Sequence, residues 1–307
     1  MPNKYLQYLC CPKCKLNLIQ RENSLLCTNC SIEYEIREGI YKLIPEVSED
    51  IELSILKWDS IYEKELIDGS YHKNFESYLA IEYEDIHDQI NEVKSISNIA
   101  YLEIGCGHFF FGQLIAEDCK LIIGLDICFS ALRVAKKMLD EKGIENYLLI
   151  QGNILEMPLK DNIADLVYGG GVMEHLEETQ ACIDELYRVL KLDGVSFNSV
   201  PCLNLGSLTY RQLWGNIPSF PILKQVAEFI HIKLLGAKHM TFGYEMSFPK
   251  SLLLRMHKKS GFREVRIGRF RLNVVLDFVP PRIKKPFIWL AENCRLFWPM
   301  VKVTAKK

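Results

Sequence analysis

Residues 99–107 read IAYLEIGCG. An apolar, strand-like run ends at Gly105 and Gly107, and FFGQLIAEDC (110–119) follows with helical spacing. A strand that turns through glycines into a helix lets backbone approach a ligand closely. Two glycines alone say little, but the pattern continues outward. KLIIGLDI (120–127) reads as a strand ending near Asp126, and SALRVAKKMLDEKG (130–143) as a helix stopping at Gly143. NYLLIQGNI (146–154) and IADLVYGG (163–170) are strands; ETQACIDELYRVLKLDG (178–194) is a helix. GVSFNSV (194–200) is a strand and PKSLLLRMHKKSGF (249–262) a helix; FREVRIGRF (262–270) and LNVVLDFV (272–279) form a closing antiparallel pair. Strands alternating with helices predict an α/β fold, a parallel sheet covered on both faces. Ligands of such sheets sit at the carboxyl ends of the strands, at the switch point.

Three successive strand ends carry suitable groups. Gly105 and Gly107 follow the first, Asp126 ends the second about twenty residues on, and Asn153 with Ile154 follows the third. A carboxylate such as Asp126 can accept both hydroxyls of a ribose. Asn153 can face an adenine edge, with Ile154 packed on the ring. The nicotinamide fingerprint G-x-G-x-x-G/A is absent, because Phe110 stands three residues after Gly107.

Together EIGCG (103–107), GLDI (124–127), QGNILEMPLKDNIADLV (151–167) and VMEHL (172–176) resemble the class I methyltransferases dependent on S-adenosylmethionine (SAM). They fall in the broad group that includes quinone-biosynthesis enzymes, and the likeness covers residues 99–200. The resemblance implies a seven-stranded Rossmann-like sheet with SAM across the switch point. It puts Glu103, Gly105 and Gly107 beside the methionine moiety, Asp126 and Ile127 at the ribose, and Asn153 and Ile154 at the adenine. Phe109 replaces the third glycine of the family loop and is expected to reshape the methionine end; Asn153 replaces an aspartate and can still accept a hydrogen bond. His175, beside Glu174, is a candidate general base, or else a brace for the next helix. Gly171 occupies the place of a metal-binding glutamate found in some quinone methyltransferases, which argues against metal-assisted catechol methylation. GGGVM in place of N/D-P-P-Y argues against methylation of an adenine amino group.

Upstream, residues 10–30 read CCPKCKLNLIQRENSLLCTNC. Cys11 with Cys14, and Cys27 with Cys30, form two C-x2-C knuckles, the donor set of a closed tetrahedral Zn(II) site. Cys10 in place of Cys11 would give the less usual C-x3-C spacing. So small a unit cannot build a sufficient core alone, so the metal would supply folding energy. The segment resembles the small zinc-ribbon family that partners RNA and protein methyltransferases. It is more loosely similar to the zinc domain of ribosomal-RNA guanine methyltransferases, where a histidine stands in place of Cys30.

The expected organisation is a zinc ribbon (1–45), a helical linker or lid (46–98), a SAM-binding core (99–200), a helical insertion capping the acceptor (201–248), the end of the core (249–279) and a basic amphipathic C-terminal segment (280–307). In the linker, Trp58, Ile61, Tyr62 and Leu66 share one helix face. In the insertion, Leu223, Val226, Phe229, Ile230 and Leu234 fall at helical spacing, either as a cap over the core or as a surface for a large apolar acceptor. His239, Tyr244 and Glu245 are spare polar groups for that pocket.

The chain of 307 residues carries net charge −2, unevenly spread. From Lys250 onward there are fifteen Lys or Arg and three acids; before it, 22 basic and 36 acidic residues. A basic end of this kind suits an anionic partner, and the C-terminal segment reads either as an interfacial helix on anionic lipid or as a helix docked on the core. The eleven scattered or metal-spaced cysteines suit a reducing compartment. With no signal peptide or spanning run expected, the location reads as cytoplasmic, either free or peripheral to the inner face of a membrane. The leading expectation is methyl transfer to a small-molecule or lipid-linked metabolite. The alternative is an RNA base methyltransferase that uses the ribbon for RNA recognition.

Overall fold

Strand β5 (Ala100–Ile104) is buried at all five positions and β6 (Leu121–Asp126) at all six. Runs of this kind belong to a parallel sheet covered on both faces. The computed structural model bears this out and describes residues 4–44, 49–73, 86–87, 90–91, 95–208, 217–236, 245–270 and 280–307. The chain divides into two compact units. The first comprises residues 1–169, 184–196 and 307; the second comprises 170–183 and 197–306.

In the first unit, β5 pairs in parallel with β6, Ala100 opposite Leu121 through Ile104 opposite Leu125. β6 pairs in parallel with β7 (Tyr147–Gln151), and β5 also with β8 (Ala164–Gly170). Helices α2 (Phe110–Ile115) and α3 (Phe129–Glu141) make the crossovers. α3 buries Ala131, Leu132, Val134, Ala135, Met138 and Leu139, a stripe at helical period.

The ribbon contributes β1 (Ile19–Gln20), β2 (Ser24–Cys27), β3 (Ile32–Arg37) and β4 (Ile40–Lys42), a meander of antiparallel pairs. β4 then pairs in parallel with β7, Tyr41 opposite Ile150 and Lys42 opposite Gln151. The first unit's strand order is therefore β1-β2-β3-β4-β7-β6-β5-β8, followed by the start of β9 (Leu190–Pro201). This corrects the expected count of seven. Strands β5 to β8 and the start of β9 belong to the first unit, and β12 (Glu264–Phe270) and β13 (Met300–Lys306) to the second. The ribbon adds four more, because β7 has backbone groups open to pairing and β4 takes them.

Helix α1 (Glu49–Asp68) fills the front of the expected linker. Its face is only half as anticipated. Tyr62 and Leu66 pack on a cluster of Tyr71, Val134 and Met138, whereas Trp58 and Ile61 are exposed. Most of residues 74–94 lies outside the described residues.

Helix α4 (Thr179–Val189) ends sooner than expected, with residues 190–194 joining β9 instead. Beyond α5 (Leu205–Leu208), the insertion in the second unit holds β10 (Ile217–Pro218), α6 (Pro221–Glu228), a π-helical continuation (Phe229–Leu234) and β11 (Met246–Ser247). α7 (Lys250–Ser260) leads to β12. The partner of β12 is β13, paired over seven positions from Glu264–Lys306 to Phe270–Met300. The expected partner, LNVVLDFV, lies outside the described residues. The C-terminal segment is thus not one amphipathic helix. Helix α8 (Pro281–Asn293) is followed by a strand that buries Val301, Val303 and Ala305. Among the described residues no helix is long and apolar enough to cross a membrane.

Candidate functional site

At the end of β5 the backbone turns left-handed at Gly105 (φ +55°) and Gly107 (φ +50°). At Gly107 space is also limiting, since a Cβ would stand 2.7 Å from the Tyr62 hydroxyl. The tip of β6 is tied to this turn by its acid. Asp126 Oδ2 accepts the Gly107 N–H at 2.8 Å, and Oδ1 accepts the Cys128 N–H at 2.8 Å. Burial pushes the Asp126 carboxyl up, and these backbone donors oppose it. The third tip joins through Gly152, whose N–H donates to the Asp126 carbonyl at 2.9 Å. Three strand ends therefore meet within one network.

The remaining cofactor candidates are engaged as follows. Glu103 Oε2 accepts the Tyr101 hydroxyl at 2.7 Å and the Gly112 N–H at 2.9 Å, anchoring the start of α2. Burial, then the charge of Glu103, holds the Tyr101 phenol well above its usual range. Asn153 Oδ1 accepts the Leu155 N–H at 2.9 Å, capping the single 3-10 turn of Ile154–Glu156. Ile154 is buried and Ile127 half-buried; the Ile127 carbonyl accepts from Gln151 Nε2 at 3.0 Å.

Phe109 stands where the family loop has its third glycine. Its backbone is left-handed (φ +59°), yet its ring is wholly buried and lies parallel to Tyr101, 6.5 Å away. Gly112 makes room for it, since a Cβ there would stand 2.2 Å from the ring. The phenyl group thus fills core space below the turn.

Several groups at the turn escape sequence reasoning because they come from α1. Asp59 Oδ1 accepts the Ser130 N–H and the Cys128 thiol, both at 3.0 Å, and so caps α3 from another element. Glu65 Oε2 lies 2.6 Å from His108 Nε2, and both side chains are buried. Burial draws the His108 pKa down, and Glu65 opposes that shift. Tyr62 stands edge-on to His108 at 5.1 Å; burial, then Asp126, pushes its phenol well up. The acids of a polar helix gave no individual signal. His108, directly after the glycine motif, was the one visible hint.

Glu174 and His175 follow β8 on one 3-10 turn, Met173–His175, in the second unit. Glu174 is buried and His175 exposed. His239 and Tyr244 lie outside the described residues; Glu245 is described, and its carbonyl accepts from the Ile217 N–H at 2.8 Å.

In the ribbon, Cys11, Cys14, Cys27 and Cys30 bring their sulfurs within 4.8 Å of one another. The contacts include Cys11–Cys30 at 3.9 Å and Cys14–Cys27 at 3.5 Å. A tetrahedron with Zn–S bonds of about 2.3 Å has edges of about 3.8 Å, so the spacing fits a four-thiolate metal site. The Tyr34 hydroxyl, 3.4 Å from Cys11 Sγ, braces it from outside. Cys10 is not part of the cluster. It is fully buried, its N–H donates to the Pro158 carbonyl, and burial pushes its thiol up to about 11. The ribbon also grips the chain just past Asn153–Glu156. Lys15 Nζ donates to the Met157 carbonyl and to Glu185, each at 3.1 Å, and the Lys160 N–H donates to the Tyr8 carbonyl.

Residues 95–219 match a family model described as a methyltransferase domain. Over these residues the chain carries a methyltransferase domain. Among its relatives is a demethylmenaquinone methyltransferase of Listeria welshimeri, 27% identical over 180 residues, which span 54% of this methyltransferase and 70% of the relative. A probable SAM-dependent methyltransferase of Mycolicibacterium smegmatis is 33% identical over 100 residues, 33% of this chain and 37% of that one. Among solved structures, the complex of the Haloferax volcanii Trm112 methyltransferase activator with a putative methyltransferase matches with a TM-score of 0.55 at 10% identity. That match covers 81% of this methyltransferase and 96% of the other chain, and at such identity it speaks for the fold alone.

Proposed function

We propose that the enzyme transfers the methyl group of SAM to a small-molecule or lipid-linked acceptor. The observation that carries the cofactor site is the bond from the Gly107 N–H to Asp126, at the meeting of three strand tips. Gly105 and Gly107, braced through Glu103, would hold the methionine moiety; Asp126 and Ile127 the ribose; Asn153 and Ile154 the adenine. Beyond its backbone bonds the Asp126 carboxylate retains a lone pair. Asn153 keeps an amide nitrogen with two N–H donors for an adenine ring nitrogen. Bound SAM supplies an electrophilic methyl carbon on a sulfonium whose positive charge disappears as the acceptor's lone pair attacks. The protein's part is alignment and exclusion of water, and Tyr62 over Gly107 suits the second task. Where the acceptor must lose a proton, Glu174 or His175 would take it. Zn(II) at the four ribbon thiolates would be structural, since four protein ligands leave no open position.

The small-molecule acceptor is supported by the Listeria relative, named for demethylmenaquinone. RNA as acceptor rests on the ribbon and the basic second unit. Methyl transfer from labelled SAM into separated lipid, small-metabolite and RNA fractions decides between them. Label in the lipid or metabolite fraction is expected; label confined to RNA overturns the acceptor class. Asp126→Ala should weaken SAM binding about 5- to 150-fold by calorimetry, for loss of about 1–3 kcal/mol of charge-assisted bonding. Unchanged affinity would overturn the ribose assignment. In the same assays a base at His175 requires that His175→Ala lower turnover without changing SAM affinity.

A further inference from the structure

The helix at 221–228 and its π-helical continuation are inside out. The buried side of this segment holds Ala227 and His231, with Ile232 half-buried against Ala227 and Ile217, and Lys224 and Glu228 half-buried beside them. Lys224 pairs with Glu177 at 2.8 Å and with Glu228 at 3.8 Å. The opposite side is apolar and faces water: Ile222 (78% exposed), Leu223, Val226, Phe229, Ile230 and Leu234 (65% exposed). Phe220 and Leu235 extend the stripe at its two ends. Proline at the first helical position fixes where the segment begins. Scattered apolar side chains on a surface need no explanation, but a continuous row of large ones marks a contact site.

Three occupants are conceivable, and charge and shape separate them. The second unit carries 18 Lys and Arg against 8 Asp and Glu, a net +10, while the first unit carries 19 against 31, a net −12. A second copy laid stripe to stripe would bring two strongly basic units together, which like-charge repulsion opposes. A small apolar ligand prefers a concave pocket, whereas this stripe is the outer face of a helix. An anionic bilayer satisfies both features, taking the apolar row into its interface and attracting the basic unit around it. Exposed Trp289 and Phe287 on α8, in the same basic unit, are of the type enriched at membrane interfaces. We infer that this segment is a monotopic membrane-docking element that seats the second unit on anionic lipid. Docking of this kind requires neither SAM nor an identified acceptor.

The test is flotation of the full-length, metal-loaded protein with phosphatidylcholine vesicles, with and without phosphatidylglycerol, at low and high salt. Recovery with the anionic vesicles, reduced by salt, is the expected result. Ile222→Asp with Phe229→Asp and Leu234→Asp should reduce it about tenfold or more. These positions are already in water, so the triple variant should keep its circular dichroism and its SAM affinity. No enrichment on anionic over neutral vesicles overturns the inference, as does binding that survives the triple substitution. A dimer in sedimentation equilibrium that the same substitutions dissociate would assign the stripe to a second copy instead.

Discussion

Helices α3 and α6 carry the same kind of message in opposite directions. Both are amphipathic. α3 turns Leu132, Val134 and Leu139 into the first unit and leaves Lys137 and Glu141 in water. α6 turns Ala227 inward and leaves Ile222 and Val226 in water. Periodicity reveals that a helix has an apolar stripe; it does not reveal what the stripe will meet. For α3 the partners are helix α1 and the sheet of its own unit. For α6 the apolar face meets solvent in the isolated chain, and that unsatisfied face carries information that α3 lacks.

The contrast can be broken by stability measurements. Leu132→Ala should cost about 2–5 kcal/mol in denaturant unfolding, because it removes fully buried methyl groups and leaves a cavity. Leu234→Ala should fall within about 0.5 kcal/mol of the parent. Comparable costs at the two positions would mean that the α6 stripe is packed in solution. A smaller effect sharpens the contrast by separating the second unit's interior from its surface. His257, on α7, is fully buried and donates Nδ1–H to the Leu253 carbonyl at 2.8 Å. Burial holds its pKa at about 4, against the usual 6.5. The unfolded chain then binds a proton that the folded chain refuses in that window. Stability is full above pH 6.5 and declines as pH falls toward about 4, by up to about 3 kcal/mol. His257→Phe should flatten this part of the profile. An unchanged acid limb in urea titrations would show that other groups govern it.

Much of the first unit was legible in the sequence, for reasons that differ from residue to residue. The glycine turn and Asp126 were readable because backbone sterics and strand length fix their spacing. The four ribbon cysteines were readable because a metal demands two close pairs. The β4–β7 pairing was not, since Ile40–Lys42 is a three-residue strand whose partner lies more than a hundred residues away. Strand β13 was hidden differently. Val301, Val303 and Ala305 alternate with polar residues as a half-buried strand should, yet the aromatic and basic residues before them drew the reading toward a helix. Asp59 and Glu65 were hidden because their roles depend on where α1 docks, which no local pattern encodes. Trp58 and Ile61 failed for the same reason: they share a face with Tyr62, but the docked surface is narrower than the apolar one.

The join between ribbon and core has a consequence for solubility. An unpaired strand at the margin of a sheet is a template for foreign chains and a seed for aggregation. Without β4, β7 would be such a margin, rich in buried aliphatic residues. With it, the border of the first unit's sheet among the described residues moves out to β1, only two residues long and followed by Arg21 and Glu22. Four cysteines and a short meander thereby convert a sticky border into a short, charged one.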